Sequence, residues 1–179
     1  YEDLNNFLSN LALMPLMGID LAGKEKNETG ICIYFIKELD KRSYIRTMVV
    51  HTDKEILNLI ENYKPKIVAI DAPLSFPKPE EGYFRKSDTL LRHRGFNVLS
   101  PLFKGMRVLV ERAIKLVRKI EDLGCEVIET YPRAVQSIYG LEKPKRVNEH
   151  EFDAFLCALA AKAYLDGKYE NLDGIIIPR

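Results

Sequence analysis

The stretch Lys66–Pro79, KIVAIDAPLSFPKP, constrains the fold more than any other. Ile67, Val68, Ala69 and Ile70 make a short continuous apolar run rich in β-branched residues. That is the pattern of a strand buried on both faces, as in a parallel sheet. The run ends in Asp71, and Pro73 cannot continue a central strand. A carboxylate is therefore expected at the carboxyl end of a buried strand, the edge where open α/β sheets bind ligands. Asp71 also has a plainer reading as a turn former, since Asp close before Pro is common turn chemistry.

A second stretch repeats the arrangement. Leu16–Gly23, LMGIDLAG, is an apolar segment, then Asp20, then small residues. If the two strands lie side by side and parallel, Asp20 and Asp71 face one another. Two such charges repel unless a proton or a cation sits between them, which points to a divalent metal.

The intervening chain permits that pairing. Met17–Ala22, Ile31–Ile36 and Tyr44–Val50 read as three strands with short polar connections, an antiparallel meander with a turn at Asp40–Ser43. Thr52 opens a helix, with Glu55 completing a capping box, and Pro65 stops it. A strand–helix–strand crossover returns the chain parallel, so strand four can lie beside strand one. Downstream, Ser100–Pro101 reads as a helix start, with Met106, Leu109, Val110, Ala113, Ile114, Val117 and Ile120 on one face and Gly124 as its cap. Glu126–Tyr131 reads as strand five and Ala134–Tyr139 as a short helix. A last helix, capped by Asn148 and Glu151, runs to about Asp166. Gly174–Pro178 is a terminal apolar segment. Leu4, Phe7, Leu8 and Leu11 in Tyr1–Leu13 stand at helical spacing, so residues 1–16 read either as a packed amphipathic helix or as an expression remnant, and 17–179 as a single domain.

Two further carboxylates join the first pair. Glu129 ends strand five as Asp71 ends strand four; the bland alternative is a surface or cross-strand glutamate. Asp153 is the only polar residue in Phe152–Ala161, FDAFLCALAA. A lone ionised carboxylate on a buried helix is costly unless paired or metal-bound, so Asp153 is either a ligand or the partner of an arginine such as Arg133 or Arg146. His150 lies one turn earlier on the same face, as a proton shuttle or as a solvated first-turn residue. Four carboxylates make a hard, oxygen-rich site suited to Mg²⁺ or Mn²⁺. A pair of such ions clamps the attacking and leaving oxygens of phosphoryl transfer.

Charge and cysteine usage narrow the class. The 179 residues carry a net charge of +1, so no global field marks nucleic acid or membrane as partner. No apolar run approaches membrane-spanning length. Cys32, Cys125 and Cys157 are odd in number and widely spaced, which suggests a reducing, cytoplasmic compartment. The dense basic cluster is Arg85, Lys86, Arg92, His93 and Arg94, which Lys104 and Arg107 extend. It reads either as phosphate-backbone contact or as a solvated helix face with Asp88 paired to Arg85 or Arg92. Phe76, Tyr83, Phe84 and Phe96 are candidates for base stacking. Tyr131 and Arg133 flank Pro132 after strand five and are expected to line the same pocket.

GIDLAG, IDAPLSFP, the R-x-x-D of Arg85 and Asp88, IETYP and HEFDAFLCALAA together resemble domain-of-unknown-function family 429, described as predicted nucleases with a ribonuclease-H-like fold. The resemblance runs from about Met17 to the C-terminus. It implies a five-stranded mixed sheet in the order 3-2-1-4-5, strand two antiparallel, flanked by helices. By similarity to ribonuclease-H-like enzymes such as Holliday-junction resolvases, it implies Asp20, Asp71 and Asp153, with Glu129, as ligands of one or two Mg²⁺ or Mn²⁺ ions. The expected activity is metal-dependent cleavage of structured or single-stranded DNA or RNA. Actin-like ancestry offers a different class, a nucleotide phosphohydrolase or phosphotransferase, since GIDLAG also resembles a first phosphate loop. A non-catalytic nucleic-acid-binding module with vestigial carboxylates is the third.

Overall fold

The structure, a computed structural model, describes residues 13–37 and 42–179. The helix expected within Tyr1–Leu13 and the tip of the turn at Asp40 lie outside the described residues, apart from Leu13 itself, the first residue of a strand.

The strands are β1 (Leu13–Asp20), β2 (Thr29–Lys37), β3 (Ser43–Val50), β4 (Ile67–Asp71), β5 (Glu126–Thr130), β6 (Tyr169–Leu172) and β7 (Ile175–Pro178). They form one mixed sheet in the order β3-β2-β1-β4-β5-β7-β6. β2 is antiparallel to β1 and β3 to β2, while β4, β5 and β7 continue parallel from β1. The expectation of five strands is corrected to seven among the described residues. The terminal apolar segment is β7, and it turns through Asp173 and Gly174, both at positive φ, from the antiparallel β6. Asp-Gly between two short runs is a hairpin signal; the polar sequence Tyr-Glu-Asn-Leu of β6 hid it.

Among the described residues five helices flank the sheet: α1 (Asp53–Tyr63), α2 (Lys86–His93), α3 (Lys104–Asp122), α4 (Pro132–Tyr139) and α5 (Glu149–Leu165). Thr52 and Glu55 form the expected capping box on α1. The start expected at Ser100 is displaced to Lys104, because Ser100–Phe103 makes a turn in which the Ser100 hydroxyl accepts from the Leu102 N–H and donates to the Tyr83 carbonyl. The basic segment before it contains α2.

Alternation along the strands sorts the core into two layers. Met17, Ile19, Val68 and Ile70 pack against Ile56 and Ile60 of α1 and Ala113, Leu116 and Ile120 of α3. The other face carries Leu16, Ala69 and Ile128 against Cys157 and Ala161 of α5. α5 sits unusually close to the sheet, and two glycines make that possible. A Cβ on Gly18 would lie 2.0 Å from the Ala154 carbonyl oxygen, and one on Gly30 only 1.9 Å from that of His150. Backbone thus touches backbone, and the small residues Ala154 and Ala158 complete the contact.

This approach carries a testable consequence. Gly30→Ala must push the first turn of α5 outward, since the clash is with main chain and not with a flexible side chain. Overpacking of this kind costs about 2 kcal/mol, so thermal melts are expected to fall by roughly 4–8 °C. An unchanged melting temperature would show that α5 is not seated on Gly30.

Candidate functional site

Register places the two strand-end aspartates together. Asp20 and Asp71 are paired positions on the adjacent parallel strands β1 and β4. From β1 the chain runs outward to β2 and β3, then crosses over to β4 on the other side. The gap beyond β1 and β4 is therefore a topological switch point, at the carboxyl ends of both strands, where α/β sheets leave a crevice for ligands. A cleft of about 730 Å³ opens there, with Asp20, Asp71 and Arg133 in its wall and Phe96, Leu99 and Tyr131 on its more apolar side.

Asp153 and His150 arrive from α5 on the sheet face that Gly18 and Gly30 leave open. His150 Nδ1 stands 2.7 Å from Asp20 Oδ2. Asn148 caps the helix by accepting from the His150 and Glu151 N–H groups, which fixes the turn that carries the histidine. Arg146 is not paired with Asp153, nor is any other arginine among the described residues. Arg133 is close enough to pull the pKa of both Asp71 and Asp153 downward, yet is hydrogen-bonded to neither.

The three aspartates share one electrostatic condition. Burial lifts the Asp71 pKa well above the ordinary range, and the charges of Asp20, Asp153 and Glu129 add to it. Burial raises Asp20 too, against the opposing pull of His150. Asp153 is pushed up to about 6, by burial first and then by Asp20 and Glu149. For His150, burial works against the charge, but the contact with Asp20 outweighs it and the pKa rises. Protons or a cation relieve such a cluster.

The fit to a metal ion follows from the donors. Asp20, Asp71 and Asp153 offer oxygen only, the set that suits Mg²⁺ or Mn²⁺. Among the described residues neither Asp71 nor Asp153 accepts a hydrogen bond, so their lone pairs are uncommitted. No three His, Cys, Asp or Glu side chains among the described residues stand close enough to share one ion. Ligation of one ion by all three would require the side chains to rotate toward it.

Glu129 has a different surrounding. It is level with Ile70, not with Asp71, yet it lines the same cleft as Asp20 and Asp71, together with Arg85 and Asp88. There Arg85 grips it through two bonds, of 2.7 and 2.9 Å, and the Leu74 N–H donates to the same carboxylate at 2.9 Å. Arg85 also holds Asp88 through two bonds, of 2.7 and 3.0 Å. All three are buried, at 5% exposure for Arg85, 0% for Asp88 and 8% for Glu129. Burial opposes the guanidinium charge, but its hydrogen bonds to Glu129 and Asp88 more than compensate. Burial likewise lifts the Glu129 pKa, against Arg85. The network anchors the Leu74–Ser75 loop directly after Asp71. The sequence reading has Glu129 as a fourth ligand and Arg85 as a phosphate contact; in the structure the two are bonded to each other at the wall of the cleft and form an internal brace.

Three more members of the basic cluster are engaged within the fold. Arg92 lies over the Phe84 ring, 4.5 Å from its centroid, and donates to the Val98 carbonyl. Arg94 is paired with Glu170, and Lys86 lies 3.5 Å from Asp173. Lys104 stands elsewhere, at the start of α3 in a second groove with Gly23, Lys24 and Lys26. Phe96 meets Tyr131 edge-on, with ring centroids 5.8 Å apart. The three cysteines are buried and free, and no described helix is long and apolar enough to cross a membrane.

No protein-family model matches the chain. No curated protein matches it either.

Proposed function

We propose that the chain is a metal-dependent phosphodiesterase acting on nucleic acid, with a ribonuclease-H-like core. The observation that carries the reading is the pairing of Asp20 with Asp71 at the carboxyl ends of adjacent parallel strands, at a switch point, with Asp153 near enough for its charge to act on Asp71 and to feel Asp20. The order β3-β2-β1-β4-β5 within the sheet is the order that the resemblance to family 429 implies. Asp20, Asp71 and Asp153 would hold Mg²⁺ or Mn²⁺, which supplies Lewis-acid polarisation of the phosphoryl oxygen and acidification of bound water.

The chain's own residues do the rest. Arg133, exposed at the cleft, neutralises a non-bridging phosphate oxygen. His150, with Nδ1 turned to Asp20, keeps a proton on the ring and presents Nε2 to the leaving oxygen, the geometry of a general acid oriented by a carboxylate. Arg85 acts at one remove, as the brace that positions the loop after Asp71.

The dimensions of the cleft favour one second reading. A volume of about 730 Å³ lies in the range of small-molecule sites, so hydrolysis of a mononucleotide at the same carboxylates is the alternative. End-labelled single-stranded and branched oligonucleotides incubated with Mn²⁺, beside ATP followed by phosphate release, separate the two. The expected result is oligonucleotide cleavage that Asp71→Asn reduces at least a hundredfold, about 2.7 kcal/mol of barrier. Phosphate release without oligonucleotide cleavage would replace the first reading by the second, and neither reaction would remove both.

A further inference from the structure

We propose that the groove beside the carboxylates is a track for a single nucleic-acid strand; the inference rests on the phosphodiesterase reading and names its substrate as single-stranded. The groove, about 850 Å³, lies between the loop after β1 and the start of α3. Leu109 lines both it and the acidic cleft, so the two are contiguous. The chain itself links them, since Asp20 at the end of β1 is four residues from Lys24.

Two features fit this surface to a polyanion with exposed bases. The first is how charge is sorted. Lys24, Lys26 and Lys104 line the groove and are exposed, and among the described residues none of them is ion-paired. The acids interleaved with them face other partners. Glu25 accepts from the Asp53 N–H at 2.7 Å, and Glu28 from the Asn148 side-chain amide. Lys24–Glu28, Lys-Glu-Lys-Asn-Glu, has as many acids as bases, yet the sorting of partners yields a surface that presents ammonium groups to the groove. The second feature is Phe103, 48% exposed in the middle of these lysines. The ring offers a flat apolar face beside positive charge. It is the platform on which an unpaired base stacks while the ammonium groups follow the phosphates. A duplex hides its bases and cannot use the ring. The α2 cluster, by contrast, has its charge paired or tethered within the fold.

Fluorescence anisotropy with a labelled oligothymidylate, its RNA counterpart and a duplex of equal length, all in chelator so that nothing is cut, tests the track. The single strands are expected to bind more tightly than the duplex. Changing Lys24, Lys26 and Lys104 together to glutamine should flatten the slope of log affinity against log salt by about 2, from about 0.7 per phosphate contact. Phe103→Ala should weaken binding about fivefold or more at every salt concentration with the slope unchanged. The control Lys86→Gln/Arg94→Gln should change neither. Melting curves confirm that each variant folds, and the surface positions make the glutamine set and Phe103→Ala independent probes. Tighter duplex binding, an unchanged slope in the lysine variant, or a slope carried by the control pair overturns the track. Cleavage in Mn²⁺ that ignores the lysine and Phe103 changes also overturns it and leaves the phosphodiesterase reading standing. Binding that needs these residues, without any cleavage, keeps the track and removes the phosphodiesterase.

Discussion

Arg85→Met is expected to destabilise the protein by about 3–5 kcal/mol, the cost of breaking a buried ion pair from one side. A typical domain has only about 5–15 kcal/mol in hand. Methionine fills much the same space, so the loss is electrostatic and not a cavity effect. It leaves Glu129 and Asp88 buried without their shared cation. The Glu129 pKa, already lifted by burial against Arg85, loses that opposing pull, and a raised carboxyl stabilises the fold at low pH and loses that contribution as pH rises through the folded value. Urea unfolding at pH 5 and pH 8 checks it: the deficit should be larger at pH 8. The triple variant Arg85→Met, Asp88→Asn, Glu129→Gln removes the stranded charge and should recover most of the loss. A single variant that melts like the wild type at both pH values would show that the network is not a brace.

That brace explains where sequence reasoning stopped. Asp71 was legible because four apolar residues and a proline frame it, and its pairing with Asp20 followed from the crossover through α1. Glu129 looks equivalent by the same local signs, after Val127 and Ile128. What separates it is the grip of Arg85 on its carboxylate, a long-range contact with no local mark. Arg85 finds Glu129 across 44 positions of chain, so the basic cluster could be seen in the sequence but its internal neutralisation could not. Asp88 was legible as a partner of Arg85 from its spacing alone. The closeness of α5 was half visible. Its alanines predict a buried helix, whereas the roles of Gly18 and Gly30 emerge only once β1 and β2 are aligned beneath it. The groove at Lys24, Lys26 and Lys104 brings together residues about 80 positions apart; Lys104 is near the α2 cluster in sequence, but it lines a groove with the loop after β1.

Asp71→Asn should raise the melting temperature in chelator and abolish stabilisation by metal. The wild-type carboxyls of Asp20, Asp71 and Asp153 all have raised folded pKa values. Such groups favour the fold while protonated, and the contribution is lost as pH climbs through the folded value; for Asp153 that window runs from its ordinary value of 3.8 to about 6. At pH 7.5 the cluster is therefore a net strain. Asparagine keeps the shape and removes one of the repelling charges, so a gain of about 1 kcal/mol should read as roughly 2–4 °C. At pH 4 the gain should vanish, since wild-type Asp71 is then already neutral. Mn²⁺ binds the folded state only, so at a hundredfold excess over Kd it should add about 2.7 kcal/mol to the wild type, and little to the variant. Thermal melts of both proteins at pH 4 and pH 7.5, with chelator and with Mn²⁺, decide the matter. If Asp71→Asn melts lower in chelator and Mn²⁺ moves neither protein, Asp71 is a turn residue and the metal site is lost along with the chemistry built on it. If the variant melts higher while Mn²⁺ still shifts the two equally, the strain is real and the ion binds elsewhere. Only a higher melt in chelator joined to loss of the Mn²⁺ shift is consistent with a carboxylate that the fold holds against its own stability for the sake of a cation.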